Sequence, residues 1–387
     1  METIICDMSA FLFWRTPPIL RLLAAAPEDD PCLSRLICRD ELLSLRTEMT
    51  ERIPLCKKSL ENGTMWRGSA EAARSIRDAS MYLAPSLDFP VDVLVAERRH
   101  QHLSSAIKTR LWTGGVPLGH KASISDELWV TSPVFTLQQL AARATLGRTV
   151  LLAAELCGSF SVYETPEPFK SLLERWTAAG GIPSYGGWSP CFDAKGNLTD
   201  LWTHEPLTTP NELLELAQKS ESRRGRARLA AAAELVTAGA ASPFEAKIGT
   251  LLGLPRRLGG EGYGGFVHNK RIQLPDFARA LAQRDCCYGD LVWEDGLDLE
   301  CQSAVYHDNS QSFLSDADRT AALEYLGMKV LPVTYEQIKC PIRLEALSRT
   351  IAQLRGISYR DKTPREAAAS AALHSEILLD WTELPFV

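Results

Sequence analysis

The sequence predicts an α/β protein, in which a C-terminal mixed sheet flanked by helices follows a mixed α+β N-terminal region. Two observations carry this. Between Ser242 and Leu354 the periodicities run helix, strand, strand, strand, helix, strand, helix, an order that packs helices on a mixed sheet. Within that run Glu294-Asp295-Gly296 separates two apolar segments and supplies hairpin chemistry.

From the N-terminus, Thr3 to Cys6 and Val91 to Val95 read as buried strands. Gly114-Gly115 and Pro117 mark a turn. Ser132-Pro133 precedes a helical stretch in which Phe135, Leu137, Leu140 and Ala141 recur at helical spacing, and Thr149 to Leu156 forms another buried element. The stretch from Gly180-Gly181 through Gly186-Gly187 reads as loop. Thr209 is an N-cap with Pro210 and Glu212 in the first turn, opening a helical connector to Val236 that Gly225 interrupts.

The C-terminal part is the most legible. Ser242-Pro243-Phe244-Glu245 starts a helix to Leu252. Arg271 to Leu274, Cys286 to Trp293 and Leu297 to Gln302 are strands, the last two joined by the hairpin turn. Asp316 to Leu326 is a helix stopped by Gly327. Lys329 to Thr334 is a strand whose Pro332 assigns it to an edge or a strand end. Tyr335 to Leu354 is mostly helical. Gly259 to Gly265 lacks the GK[ST] ending of a phosphate loop, and is expected to be a flexible loop flanking the site. The resulting division is 1–207 as the N-terminal α+β domain, 208–240 as a helical connector, 241–357 as the C-terminal α/β domain and 358–387 as a tail.

Composition excludes several classes. Over 387 residues, 45% hydrophobic and 23% charged, the chain has enough apolar material for a sizeable core and too much for a disordered protein. The longest apolar run, near Val150 to Cys157, is far short of the ~20 residues a membrane span needs. Met1-Glu2-Thr3 lacks the basic start of a signal peptide, and ten cysteines without such a signal suggest reduced thiols and a cytoplasmic location. There is no CxxC pair, which argues against a structural zinc site. The net charge of −6 does not announce a nucleic-acid binder. Locally, Lys219, Arg223, Arg224, Arg226 and Arg228 face one acid, Glu221, a net charge of +4 over ten residues. That segment reads as a solvated helix face or as a phosphate-contacting patch.

The chemistry concentrates on the hairpin. Asp290 and Glu300 lie on its two strands and can be spatial neighbours. Like charges a few ångströms apart raise one pKa unless a cation neutralises them. Mg²⁺ (or Mn²⁺) suits such a pair, because it takes oxygen ligands and binds through one or two carboxylates plus phosphate and water. Residues i and i+2 of a strand share a face, so Glu300 and Gln302 point the same way and Cys301 the other.

With Glu245 on the leading helix, Asp290, Glu300-Cys301-Gln302, His307, and then Asp316 to Arg319, Leu323, Gly327, Val330 and Thr334, the segment from Ser242 to about Thr334 resembles the PD-(D/E)XK nuclease superfamily, within it the very-short-patch-repair-like endonucleases. The resemblance implies a restriction-endonuclease-like core and Mg²⁺-dependent hydrolysis of DNA phosphodiester bonds, with Asp290 and Glu300 as metal ligands and the Cys301 backbone carbonyl as a further one. Glu245 would assist the metal; on the residues' own chemistry His307 is a candidate general acid/base or phosphate contact, Arg319 a candidate DNA contact, and Arg223, Arg224, Arg226 and Arg228 of the basic segment candidate DNA-phosphate contacts. Gln302 stands where the family has lysine, and it can orient water but cannot act as a base.

Plain readings stand beside these. Glu245 completes a capping box with Ser242. Asp290 caps a strand end or pairs with an arginine, and Arg319 pairs with Asp316 or Asp318. In the N-terminal half, Asp92 to Ala96, Gly119-His120 and Val130 to Leu137 are similar to AbiEi-type abortive-infection antitoxins and their transcription-regulator relatives. That similarity implies a role in phage defence, a toxin–antitoxin or defence partner, and DNA. Two functions therefore follow from the sequence: a metal-dependent endonuclease, active in defence or DNA repair, and a non-catalytic DNA-binding regulator or antitoxin-like protein on a degenerate nuclease fold. They differ in whether the carboxylates converge in an open cleft or are tied up by arginine and backbone amides.

Overall fold

In a computed structural model the described residues are 2–52, 90–101, 103, 107–125, 127–302 and 310–386, without the side chains of 49–52 and 310–317. The chain opens with β1 (Thr3–Ile5), α1 (Asp7–Arg15), α2 (Pro18–Ala25), α3 (Leu33–Leu36) and α4 (Arg39–Arg52). Next come β2 (Val91–Val95), β3 (Ile107–Leu111), β4 (Lys121–Ser123) and β5 (Leu128–Thr131). These strands form a mixed five-stranded sheet of order β3-β2-β1-β5-β4, in which β1 runs parallel to β5 and antiparallel to β2.

Two helices follow, α5 (Pro133–Ala141) and α6 (Leu146–Leu156). Ser132 caps α5 by accepting from the Phe135 amide, with Pro133 at the first helical position. Next come β6 (Phe160–Val162), α7 (Glu167–Ala178), β7 (Ser189–Phe192) and β8 (Leu198–Thr203), whose strands make a small antiparallel sheet of order β6-β8-β7. The connector is two helices, α8 (Pro210–Lys219) and α9 (Arg226–Leu235). Thr209 and Glu212 form a complete capping box on α8.

The C-terminal part begins with α10 (Pro243–Gly253) and β9 (Val267–Gln273). It continues through α11 (Asp276–Ala282), β10 (Cys286–Val292), β11 (Leu297–Gln302), α12 (Ser310–Tyr325) and β12 (Lys329–Thr334). Three helices close the chain: α13 (Tyr335–Lys339), α14 (Pro341–Leu354) and α15 (Pro364–Ile377). The sheet order is β12-β11-β10-β9: three antiparallel strands, then β12 parallel to β11 across the α12 crossover. Pro332 lies on the edge strand, where a missing amide costs no ladder bond. Gly296 (φ 85°) turns the hairpin, and Gly327 (φ 77°) ends α12, as the sequence predicts.

One apolar cluster joins most of these elements. It contains Phe11 and Trp112 from the first sheet region, Leu151 of α6, Leu213 and Leu229 of the connector, and Leu251, Trp293 and Ile351 of the C-terminal part. The core therefore crosses both 207 and 240. The stretch read as a tail contributes the capped helix α15 and then Trp381, whose Nε1 donates to Glu155 at 2.6 Å while its carbonyl accepts from Arg15 at 3.3 Å. The glycine-rich loop also differs from expectation. Tyr263 is buried, its carbonyl accepts from Trp293 Nε1 at 2.8 Å, and a Cβ on Gly259 would overlap the backbone of Ala369. It is a packed seat for α15 and not a flexible flank. No helix among the described residues is long and apolar enough to cross a membrane, and the nine described cysteines are unpaired.

Candidate functional site

The carboxylate centre forms where two strands part. β10 and β11 pair at Leu291–Leu299 and Val292–Asp298. Beyond that, Asp290 Oδ2 accepts from the Cys301 amide at 2.7 Å, so a side chain takes the place of a ladder bond. On the other side, β9 is distorted at Asn269, which has φ 47°. The residues flanking that distortion pack into different layers. Cys287 and Ile272 lie with α11 and α12, whereas Leu291 joins the main core.

Glu245 sits in the first turn of α10, buried at 7% exposure. Its carboxylate accepts from Ser242 Oγ at 2.9 Å, the Ala241 amide at 2.8 Å and Asn269 Nδ2 at 2.7 Å. The capping reading of Glu245 thus describes its contacts, with Asn269 added. Burial raises its pKa, opposed by these donors. The structure also fixes His268 nearby: Nδ1 donates to the Asp290 carbonyl at 3.2 Å, and burial lowers the imidazole pKa to about 4, so the ring is neutral.

Glu300 is held by Arg319 of α12 through both carboxylate oxygens, one at 2.8 Å. The same guanidinium donates to the Tyr288 carbonyl at 2.6 Å. The partner found for Arg319 is thus Glu300 of β11, not Asp318 as one plain reading of the sequence has it, and the Asp316 side chain lies outside the described residues. A guanidinium so engaged is a poor phosphate contact in this arrangement. A third carboxylate, Asp298, lies two residues before Glu300 and is fully buried. Neither of its oxygens has a hydrogen-bond donor. Burial, and then the neighbouring Glu300 carboxylate, push Asp298 up to about 9. Burial and the charges of Glu300 and Glu245 push Asp290 up to about 7. Gly289 makes room for this cluster, because a Cβ there would stand 2.6 Å from both Asp298 oxygens.

The remaining expected residues are dispersed. Gln302 is exposed at the last ladder position, opposite Thr334. The Cys301 thiol is pushed well up by burial and stays neutral. His307 lies outside the described residues. In the basic segment, Gly225 packs so tightly on Gln138 that a Cβ would overlap its carbonyl. Arg224, Arg226 and Arg228 donate to the carbonyls of Leu111 (2.9 Å), Ser220 (3.2 Å) and Ala141 (2.5 Å), while Arg223 is exposed. These arginines pin a loop to α5 and β3.

As a Mg²⁺ site the donors do not fit as they stand. Glu300 has both oxygens on Arg319, Asp290 has one on an amide, and Asp298 is pushed toward its acid form. Among the described residues no group of three or more His, Cys, Asp or Glu is placed to hold a metal ion. Sequence reasoning missed Asn269 and Asp298. Asp298 had a signal, because it shares the face of Glu300 by strand alternation. Compared with protein-family models, curated proteins and solved structures, the chain matches none.

Proposed function

We propose that this protein is a non-cleaving, DNA-binding regulator built on a restriction-endonuclease-like core. The topology supports the core: a helix, three antiparallel strands with the short α11 between the first two, a crossover helix and a fourth strand parallel to the third, with carboxylates where the central strands part. The single observation that carries the non-cleaving reading is the two-pronged Arg319–Glu300 pair, in which a fixed cation occupies the ligand oxygens. The neutral Gln302 agrees with it, since it supplies neither a base nor charge for the phosphate. A part in phage defence or with a toxin–antitoxin partner follows only from the resemblances of the sequence.

One observation favours a second reading, metal-dependent endonuclease. Asp290, Asp298 and Glu300 share one guanidinium, and two of them are pushed up to about 7 and 9, an excess of buried carboxyl that a divalent cation would relieve. Plasmid nicking with Mg²⁺ or Mn²⁺, with EDTA and Glu300→Ala controls, separates the two. Salt-sensitive DNA binding that survives Glu300→Ala, with no nicking, supports the regulator. Metal-dependent nicking abolished by Glu300→Ala overturns it in favour of the nuclease.

A further inference from the structure

A second site lies away from the carboxylates. A cavity of about 750 Å³ opens between the Trp112–His120 loop, the start of α5 and the outer face of α8. That volume lies within the range of small-molecule sites. Its walls are partly apolar, from Trp112, Leu207 and Leu216, and partly polar, from His120, Ser132 and Glu212. The loop that borders it is open: a Cβ on Gly114, Gly115 or Gly119 would meet nothing within 4 Å.

Inside the cavity His120 Nδ1 and Ser132 Oγ are 3.0 Å apart. The pair is set by the fold, since the Ser132 amide donates to the His120 carbonyl at 2.9 Å just beyond the β4–β5 ladder. Ser132 Oγ accepts from the Phe135 amide and keeps a proton that it donates to the imidazole in the tautomer with Nδ1 bare and Nε2 protonated. Burial lowers the His120 pKa and keeps the ring in its basic form, against the field of Glu215 and Glu212 and with that of Lys219. Ser132 also sits between a strand end and the positive end of a nine-residue helix, where negative charge growing on an attacked carbonyl is favoured. Glu212 and Glu215 at the rim disfavour anions, and the apolar wall favours an uncharged body.

We propose that Ser132 is a nucleophile, with His120 as its base, for hydrolysis of uncharged esters with an apolar acyl group. Ser132 Oγ bonds to the carbonyl carbon and its proton passes to His120 Nδ1. The ester C–O bond breaks, and the leaving alkoxide takes that proton. Water, deprotonated by the same imidazole, then cleaves the acyl-serine to free acid and restores Ser132.

The test is covalent labelling of the full chain with an uncharged alkyl fluorophosphonate, read by intact mass and peptide mapping, together with p-nitrophenyl butyrate turnover. One phosphonyl adduct at Ser132 with loss of fluoride is expected. His120→Gln, which keeps the serine cap of α5, should label at least 100-fold more slowly while its thermal melt stays near wild type. Ser132→Ala should abolish both adduct and turnover. A folded wild-type chain that gains no adduct at Ser132, or a His120→Gln chain that labels at the wild-type rate, overturns the proposal.

Discussion

Arg319 and Glu300 meet across the gap between α12 and β11, and the Tyr288 carbonyl fixes the guanidinium from a third direction. The two side chains are only 17% and 13% exposed. Removing one partner of such a pair strands a charge in a poorly hydrated place. Arg319→Met should therefore cost about 3 kcal/mol in urea unfolding. Arg319→Met with Glu300→Gln should recover at least half of that, since no uncompensated charge remains. A double variant as unstable as the single one would show that the guanidinium acts through packing.

Stability should fall as pH rises from about 4 toward 9. Asp298 and Asp290 titrate near 9 and 7 in the fold, above the unfolded value of 3.8, so the native state holds protons that the unfolded chain releases. Their stabilising protonation is complete at the acid end and is lost as pH passes each folded pKa. Asp298→Asn keeps the size of the side chain and removes one titration. It should flatten the profile and raise the urea midpoint at pH 8, by about 2 kcal/mol equivalent. Parallel wild-type and variant profiles between pH 5 and 9 would remove Asp298 as a cause.

Gly289 has a steric task. A methyl group there would overlap Val292 Cγ2 as well as the Asp298 carboxyl. Gly289→Ala should destabilise by about 2 kcal/mol. Adding Asp298→Ala should relieve part of this and leave the Val292 clash. An unchanged thermal melt for Gly289→Ala would mean that β10 shifts freely at this point.

Local chemistry made half of this architecture readable. The hairpin about Gly296, the cap at Ser242, the Gly327 stop and the edge strand with Pro332 depend on residues within a few positions of each other, and the structure has them where the sequence predicts. β8 escaped notice because only Trp202 of its six residues is fully buried, which leaves no clear alternation. The helix α15 escaped for a related reason: its buried residues are Leu373 and Ile377, too few for an apolar stripe, and its seat is a glycine loop more than a hundred residues earlier. In the candidate site, Asp290 and Glu300 are neighbours as a hairpin demands. The partner of Glu300 was not legible, because Arg319 comes to it through packing of α12 and not through spacing along the chain.

Trp381 packs on Phe160 with ring centroids 5.4 Å apart and donates to Glu155, the buried partner of Arg15. Trp381→Ala should cost about 4 kcal/mol from lost burial and a carboxylate short of one donor. Trp381→Phe should restore most of the packing and leave the donor deficit of about 1 kcal/mol. Equal losses for the two variants would assign the whole effect to the hydrogen bond.

The same contact sets an order of events during synthesis. Arg15 and Glu155 leave the ribosome long before Trp381, whose carbonyl and indole complete their hydrogen bonding across 366 and 226 positions of sequence. The helix that carries Arg15 therefore waits, with its ion pair incompletely covered, until the segment containing Trp381 has been made. A chain truncated before Trp381 would leave the Arg15–Glu155 pair short of both contacts, so the helix that carries Arg15 would be weakened by a cut far from it in sequence.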